Sequence, residues 1–523
     1  MGEQRRIVIM PGNDVLTDVR AMKNLATAAS LGLDAIGLGV TRSGQLRTRR
    51  IGDIRIRIVA VPPAAGDQGL VAWLRRARRA FRFGYATEQQ EQEARARLSY
   101  FIREVHADEA RRCRDSDRAP IVAGPSRSSA VAAGRLRIRV ARSAVEFHAY
   151  LGRRRRAAAE AQARRFPDRM AAVAAARKVV RWRDELPAAI DDDIVLGREL
   201  DRICPDIIHV HDVFMMGVAA RAAGRAALKG RKIHLVYDAR EYLPGLACVP
   251  ERLIAAYCDL ESEFLPDFDR VITVSEPLAD LLVKDHGLLR RPDLVLNAPV
   301  VDQEADDVPQ LREVIGLAEG IPLLVYGGGV NSARGVQTVI EALVHLPGVH
   351  FALVVRAPNS VTMHLEALAE ELGVADRFHQ AGFVPPGQVT QYFASADIGV
   401  SPLLHFVNHD VALTNKFCEY LLAGLPVVTS DTPAQADLVT ELGLGEVYPA
   451  GEVAAFVNAV NSVLARLPEL RARVREPQLQ HRFSWAAQEE VLRGVYDDLV
   501  GVVDAEPPDG SPSGAAAEAV SQR

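Results

Sequence analysis

Cysteine is scarce in this chain: five residues in 523, at Cys113, Cys204, Cys248, Cys258 and Cys418. They form no CxxC pair and no Cys/His spacing suited to zinc, so a disulfide framework and a structural metal are both excluded as expectations. Aromatic residues make up 6%, too thin an interleaving with the basic residues for a nucleic-acid surface built on base stacking. No apolar run approaches 18 residues, so no membrane-spanning helix is expected. The first apolar stretch, Ile7 to Met10, ends at Pro11-Gly12 and is too short for the core of a secretion signal; it reads as a strand. Without such a signal, the thiols are expected to be reduced and the protein cytoplasmic.

What remains is ordinary for a globular protein: 48% apolar and 25% charged residues, and a length that suggests two to four domains. The formal charge of -4 hides an asymmetry. Residues 64–183 carry a net charge of +16, and the remainder carries -20. Lysine is rare, six against 57 arginines, which points to a GC-rich source. Codon bias alone does not explain why acidic residues are sparse in the same stretch. Clusters such as Arg75-Arg76 with Arg78-Arg79, and Arg153–Arg156, suit an anionic membrane surface, at about 1 kcal/mol per charge.

Along the chain, short β-rich runs alternate with helical periods. Residues 6–10 and 34–40 read as buried strands flanking a helix that ends near Gly32. Ile54, Ile56 and Ile58 alternate with Arg55 and Arg57, the pattern of an edge strand. Residues 64–190 read as a basic, mostly helical insertion whose one strand signal is LRIRV at 136–140. The α/β rhythm resumes at 205–212, passes an acidic linker near 298–310, and restarts at 321. The expected organisation is therefore a first doubly wound domain over 1–300 and a second over 301–482. A closing helix over 483–502 and a disordered tail over 503–523 follow. Ligands of such folds bind at the carboxyl ends of the strands, at the cleft.

Four segments stand at such ends. In YGGGVNSARGVQTVIEAL (326–343) a strand runs into Gly328 and Gly329, and Arg334-Gly335 opens a helix. Glycines permit close backbone approach, and the arginine suits a diphosphate. In TNKFCEYLLAGLPVV (414–428), Asn415 is placed to cap a helix and Lys416 lies near its positive end, unfavourable unless an anion binds there. Glu419, one turn on, suits ribose hydroxyls. In DIIHVHD (206–212), His211 and Asp212 fall at the strand end, while His209 reads as a core histidine. With no HExxH and no third ligand in the pattern, metal is not expected. The loop at Gly12 and Asn13 leads into a helix whose Asp18, Arg20 and Lys23 either touch a ligand or form a solvated face.

Taken together, these segments resemble the retaining family 4 of the GT-B glycosyltransferases, over residues 5–63 and about 196–500. The resemblance implies two Rossmann-like domains, an acceptor-binding first and a nucleotide-sugar-binding second. It implies that a glycosyl group is transferred with retention while a nucleoside diphosphate leaves. The site it implies consists of Arg334 and Lys416 on the diphosphate, His211 on the sugar and Glu419 on the ribose. Phe383 and Val384, following Gly382, line the base pocket through backbone groups. Two departures stand out. Gly328 falls where an arginine is usual, and Val411 falls where the first of two glutamates is usual, with His409 or Asp410 as substitutes. The NKFCEYLLAG segment resembles a family subset, in which Lys416 supplies the missing charge. Arg240 stands where histidine is usual in YDAREYLPG. The implied partners are a nucleotide-sugar donor and a sugar, lipid-linked or small-molecule acceptor. No cofactor, metal or nucleic acid is implied, and 64–190 is available to an anionic membrane. A sugar-nucleotide epimerase and a non-catalytic scaffold on the same fold are the competing functions.

Overall fold

A computed structural model describes residues 4–41, 46–61, scattered positions between 95 and 150, 166–246, 249–301, 308–357 and 359–501. The chain divides into two compact units: Met1–Ala64 with Pro167–Arg523, and Ala65–Phe166. The second unit takes in most of the expected insertion. Of the expected strand at 136–140, Ile138 and Arg139 are described, and both are helical. The expected tail at 503–523 and most of the linker between 302 and 307 lie outside the described residues.

The larger unit contains two parallel sheets. In the first, β1 (Arg6–Met10), β2 (Asp34–Thr41), β3 (Arg47–Ile51), β4 (Ile54–Ala60), β5 (Ile207–Val210), β6 (His234–Ala239), β7 (Arg270–Thr273) and β8 (Asp293–Leu294) run in the order β3-β4-β2-β1-β5-β6-β7-β8. Only the β3–β4 pair is antiparallel. In the second, β9 (Leu323–Gly327), β10 (His350–Val355), β11 (Phe378–Gly382), β12 (Ile398–Ser401), β13 (Val427–Ser430) and β14 (Gly445–Tyr448) run β11-β10-β9-β12-β13-β14. This is the doubly wound plan the strand–helix alternation predicts.

The reason is visible in the opening strand of each sheet. Ile7 and Ile9 enter one core and Val8 and Met10 the other. Leu323 and Val325 divide from Leu324 and Tyr326 in the same way. A strand apolar on both faces must be covered on both, which parallel strands with crossover helices provide. The Ile/Arg alternation in β4 misleads in one respect. β3, a hairpin partner with three arginines in five residues, is the true edge, and β4 is one strand in. The last helix, Trp485–Val500, packs Trp485, Leu492, Val495 and Tyr496 against Ile7 and Ile9 of the first sheet, so the chain crosses between the lobes twice. Among the described residues no helix is long and apolar enough to cross a membrane.

In both sheets the strand order reverses beside the first strand: between β1 and β5, and between β9 and β12. Loops at the carboxyl ends of these pairs diverge to opposite faces and leave a crevice. The four candidate segments lie at or near one of these two places, whereas Phe383 and Val384 follow β11 at the edge of the second sheet.

Candidate functional site

At the first switch point the polar groups bind each other. Arg20 Nε and Nη2 reach the two Asp238 carboxylate oxygens at 2.5 and 3.0 Å, and Arg20 also donates to the carbonyls of Val295 and Leu296. Arg240 Nη1 pairs with Asp18 at 3.1 Å, and Asp18 caps its helix by accepting from the Ala21 amide. Burial opposes ionisation of Asp238, yet Arg20 holds its carboxyl far below the usual range. Asp18, Arg20 and Lys23 are thus buried network members, which overturns the solvated-face reading.

His211 also lies inside this network. Its side chain is fully enclosed, its Nε2 meets Asn24 Nδ2 at 3.2 Å, and Nδ1 lies 3.9 Å from Asp238. Burial pulls its pKa to about 4, so the ring is neutral. The side chain is shut from solvent, and its Nδ1 is left without a hydrogen-bond partner. His209 is likewise buried, with Nδ1 2.9 Å from Tyr496 Oη on the closing helix, as a core histidine should be. His209, His211 and Asp238 lie close enough to share an ion, but Asp238 already accepts two hydrogen bonds from a guanidinium. A second cation there would face Arg20 directly. Gly12, at φ +73°, packs against Asp212, where a Cβ would come within 3.0 Å of the Asp212 Cβ. Asp212 caps the helix Val213–Ala227, and burial lifts its pKa to about 6. Asn13 uses its backbone carbonyl to accept from the Val40 amide.

The second switch point is built the opposite way. Gly328, the residue after β9, stands at φ +109°, a conformation glycine adopts readily and arginine does not. Gly329 offers its carbonyl to Tyr326 Oη at 3.1 Å, and a Cβ at Gly335 would strike the Pro402 carbonyl at 1.8 Å. The arginine loop is therefore pressed against the end of β12, and Leu404 donates to the Ala333 carbonyl beside Arg334.

Onto this loop the helix Asn415–Leu422 brings Lys416, 7% exposed, with Nζ 4.7 Å over the Tyr326 ring. Burial and then Arg334 pull the Lys416 pKa down to about 7. Burial raises that of Glu419, while Lys416 and Lys23 oppose the rise. Among the described residues, no ion pair or side-chain hydrogen bond reaches the charged ends of Arg334, Lys416 or Glu419. Two like charges lie near each other with only the unpaired Glu419 carboxylate as an opposite charge, which leaves a net positive site that favours an incoming anion.

His409 belongs to the same group. Its Nδ1 lies 2.8 Å from the Leu404 carbonyl, which can only accept, so Nδ1 carries the proton and Nε2 a lone pair. Burial, with Arg334 and Lys416 adding to it, draws its pKa to about 4. Asp410 is committed elsewhere, to His405, which also reaches Asp431. Val411 turns into the first lobe's core, and its carbonyl accepts from Ser275 Oγ. Asn408 pairs through its amide with the backbone of Tyr242 at 2.8 and 3.2 Å.

Asn415 does not cap its helix. Thr414 holds that position without a side-chain cap bond, and Asn415 Oδ1 accepts from Asn297 Nδ2 at 2.7 Å. Phe383 is exposed beside β11 with the Arg356 guanidinium 5.1 Å from its ring centroid, whereas Val384 is a core residue. The structure therefore brings Arg334, Lys416, Glu419 and His409 together beside the glycines, and leaves Gly12 and His211 in the other network. The sequence reading missed Asn24 and Asp238; a polar residue at the end of β6 was the available signal.

Comparison with known proteins agrees with this architecture. Residues 118–301 match the family model described as Glycosyltransferase Family 4, and residues 321–466 match that of Glycosyl transferases group 1. Together these matches take in more than half of the chain, and the first begins inside the expected insertion, further back than the motifs alone indicate. Over both stretches the chain is similar to the glycosyltransferases of group 1, family 4, and its two Rossmann-like domains follow the GT-B plan. It is 26% identical over 213 residues to a 2-deoxystreptamine glucosyltransferase of Streptomyces kanamyceticus, covering 39% of this chain and 54% of that protein. It is 27% identical over 211 residues to a D-inositol 3-phosphate glycosyltransferase of Xylanimonas cellulosilytica, covering 39% and 49%. The chain thus spans about half the length of these curated relatives. In fold it is similar to sucrose-phosphate synthase from Thermosynechococcus elongatus, with a TM-score of 0.58 at 12% identity over 96% of this chain and all of that one.

Proposed function

We propose that this protein transfers a glycosyl group from a nucleoside-diphosphate sugar to an acceptor hydroxyl, with retention at the anomeric carbon. One observation carries the reading: Lys416 is buried near Arg334 with no ion-pair contact to either among the described residues, and a diphosphate would supply one. As the glycosidic bond to the donor phosphate breaks, positive charge grows on the sugar and negative charge on the leaving diphosphate. Arg334 and Lys416 stabilise that leaving group where water is largely excluded, the largest electrostatic task in the reaction. Gly328 and Gly329 let the phosphates approach the backbone at the end of β9. Glu419 accepts from the ribose hydroxyls, and the backbone of Phe383 and Val384 lines the base.

His409, rather than Asp410, takes the place of the missing glutamate, its Nε2 accepting a hydrogen bond from a sugar hydroxyl. The names of the two relatives suggest a cyclic polyol as the acceptor class. The 64–190 stretch is proposed to sit on an anionic membrane surface, with the protein on the cytoplasmic face.

The test is a panel of nucleotide-sugars followed by thermal shift, since a ligand bound only to the folded state raises its melting temperature. The best stabiliser is then followed by release of nucleoside diphosphate with and without acceptor. Arg334→Ala and Glu419→Ala are expected to cut turnover at least tenfold; unchanged turnover in both would refute the site. Conversion of the donor to an isomer, with no diphosphate released, would favour the epimerase.

A further inference from the structure

A buried lysine in the first lobe is placed on no part of the donor, yet it acts electrostatically on Glu419. Lys23, 2% exposed on the helix Val19–Ser30, donates to the Ala298 carbonyl at 2.6 Å and to Asn297 Oδ1 at 3.1 Å. Its Nζ also lies 4.4 Å over the Trp485 ring. Residues 297–298 and Trp485 belong to the two places where the chain passes between lobes, so one ammonium group holds both. Neither oxygen is charged. Keeping a cation there in place of an apolar side chain costs free energy that local packing does not repay.

The hydrogen bonds have a direction. Asn297 Oδ1 and the Ala298 carbonyl both accept from Lys23, which turns the Asn297 NH2 outward. That NH2 meets Asn415 Oδ1 at 2.7 Å. Asn415 is the first residue of the helix Asn415–Leu422, immediately before Lys416. An oriented chain therefore runs from Lys23 in the first lobe, through Asn297 at the crossing, to the start of the helix that carries the diphosphate lysine.

We propose that Lys23 and Asn297 are positioning residues: this relay fixes the start of the Asn415–Leu422 helix against the lobe crossings, and so sets where Lys416 meets the diphosphate. The inference rests on the function proposed above.

The test is a double-mutant cycle on the full chain, read by calorimetric binding of UDP and GDP. Asn297→Ala is expected to weaken binding roughly five- to tenfold, the size of one lost hydrogen bond. In a Lys416→Ala background the same change is expected to move affinity less than twofold, because the group being positioned is gone. A purely structural asparagine would weaken binding equally in both backgrounds, and that additivity would overturn the relay, as would full affinity in Asn297→Ala. Asn297→Ser serves in the same cycle if the alanine variant does not fold. If neither nucleotide binds the wild-type chain, the diphosphate site itself fails and the relay with it; binding with an additive cycle defeats the relay alone.

Discussion

The two switch points of this molecule use the same kinds of residue to opposite ends. Beside β1 and β5, Arg20, Asp238, Asp18 and Arg240 neutralise one another, and His211 is closed in with Asn24. Beside β9 and β12, Arg334, Lys416 and Glu419 sit near each other without pairing. Buried charge is tolerated only when compensated. The first network is compensated from within and reads as structure; the second lacks its compensation and reads as a place for a ligand.

The sharpest way to break this contrast is to remove one charge from each. Asp238→Ala leaves Arg20 buried and unpaired and is expected to destabilise the fold by about 3–5 kcal/mol in denaturant titrations. The apolar pair Arg20→Met with Asp238→Leu is expected to recover most of that loss. Lys416→Ala is expected to do the reverse. Its melting temperature should hold or rise, because an uncompensated cation is gone, while affinity for UDP or GDP should fall roughly 10- to 100-fold, the range for a hydrogen bond to a charged group. A large loss of stability in Lys416→Ala would erase the distinction between the two sites.

A pH series sharpens the contrast. Free Lys416 titrates near 7, depressed by burial and Arg334, and a bound diphosphate raises that value. Below about pH 7 the ammonium is already formed and affinity is flat. Above it, binding must take up a proton, so affinity is expected to fall by up to about tenfold per pH unit. Lys416→Arg, always protonated, should flatten the curve. The smallest effect is expected where the lobes touch: Ser275→Ala, which loses the bond to the Val411 carbonyl, should cost about 1 kcal/mol in denaturant titrations.

Much of this was legible in the sequence, and the reasons differ by residue. Strands apolar on both faces announced parallel sheets, and a lysine in the first turn of a helix drew attention to Lys416, because both signals are local. β3 was not legible, since its charged sequence shows no alternation and β4 alone gives it a strand partner. Nor were the fates of Arg20, Lys23 and Asn415. Their partners Asp238, Asn297 and Ala298 lie far off in the chain, and only tertiary folding makes a solvated-looking helix face the buried one. Val411 likewise looked like a lost catalytic position. In the structure it is an apolar contact to the other lobe, while His409 lies close enough to Arg334 and Lys416 to be influenced by their charge.

The most direct measurement is a crystal of the full chain soaked with UDP or GDP. The account predicts a β-phosphate within ion-pair distance of both Lys416 Nζ and the Arg334 guanidinium, beside Gly328 and Gly329. A diphosphate bound instead at the Arg20–Asp238 network, or anywhere away from those two cations, would contradict it.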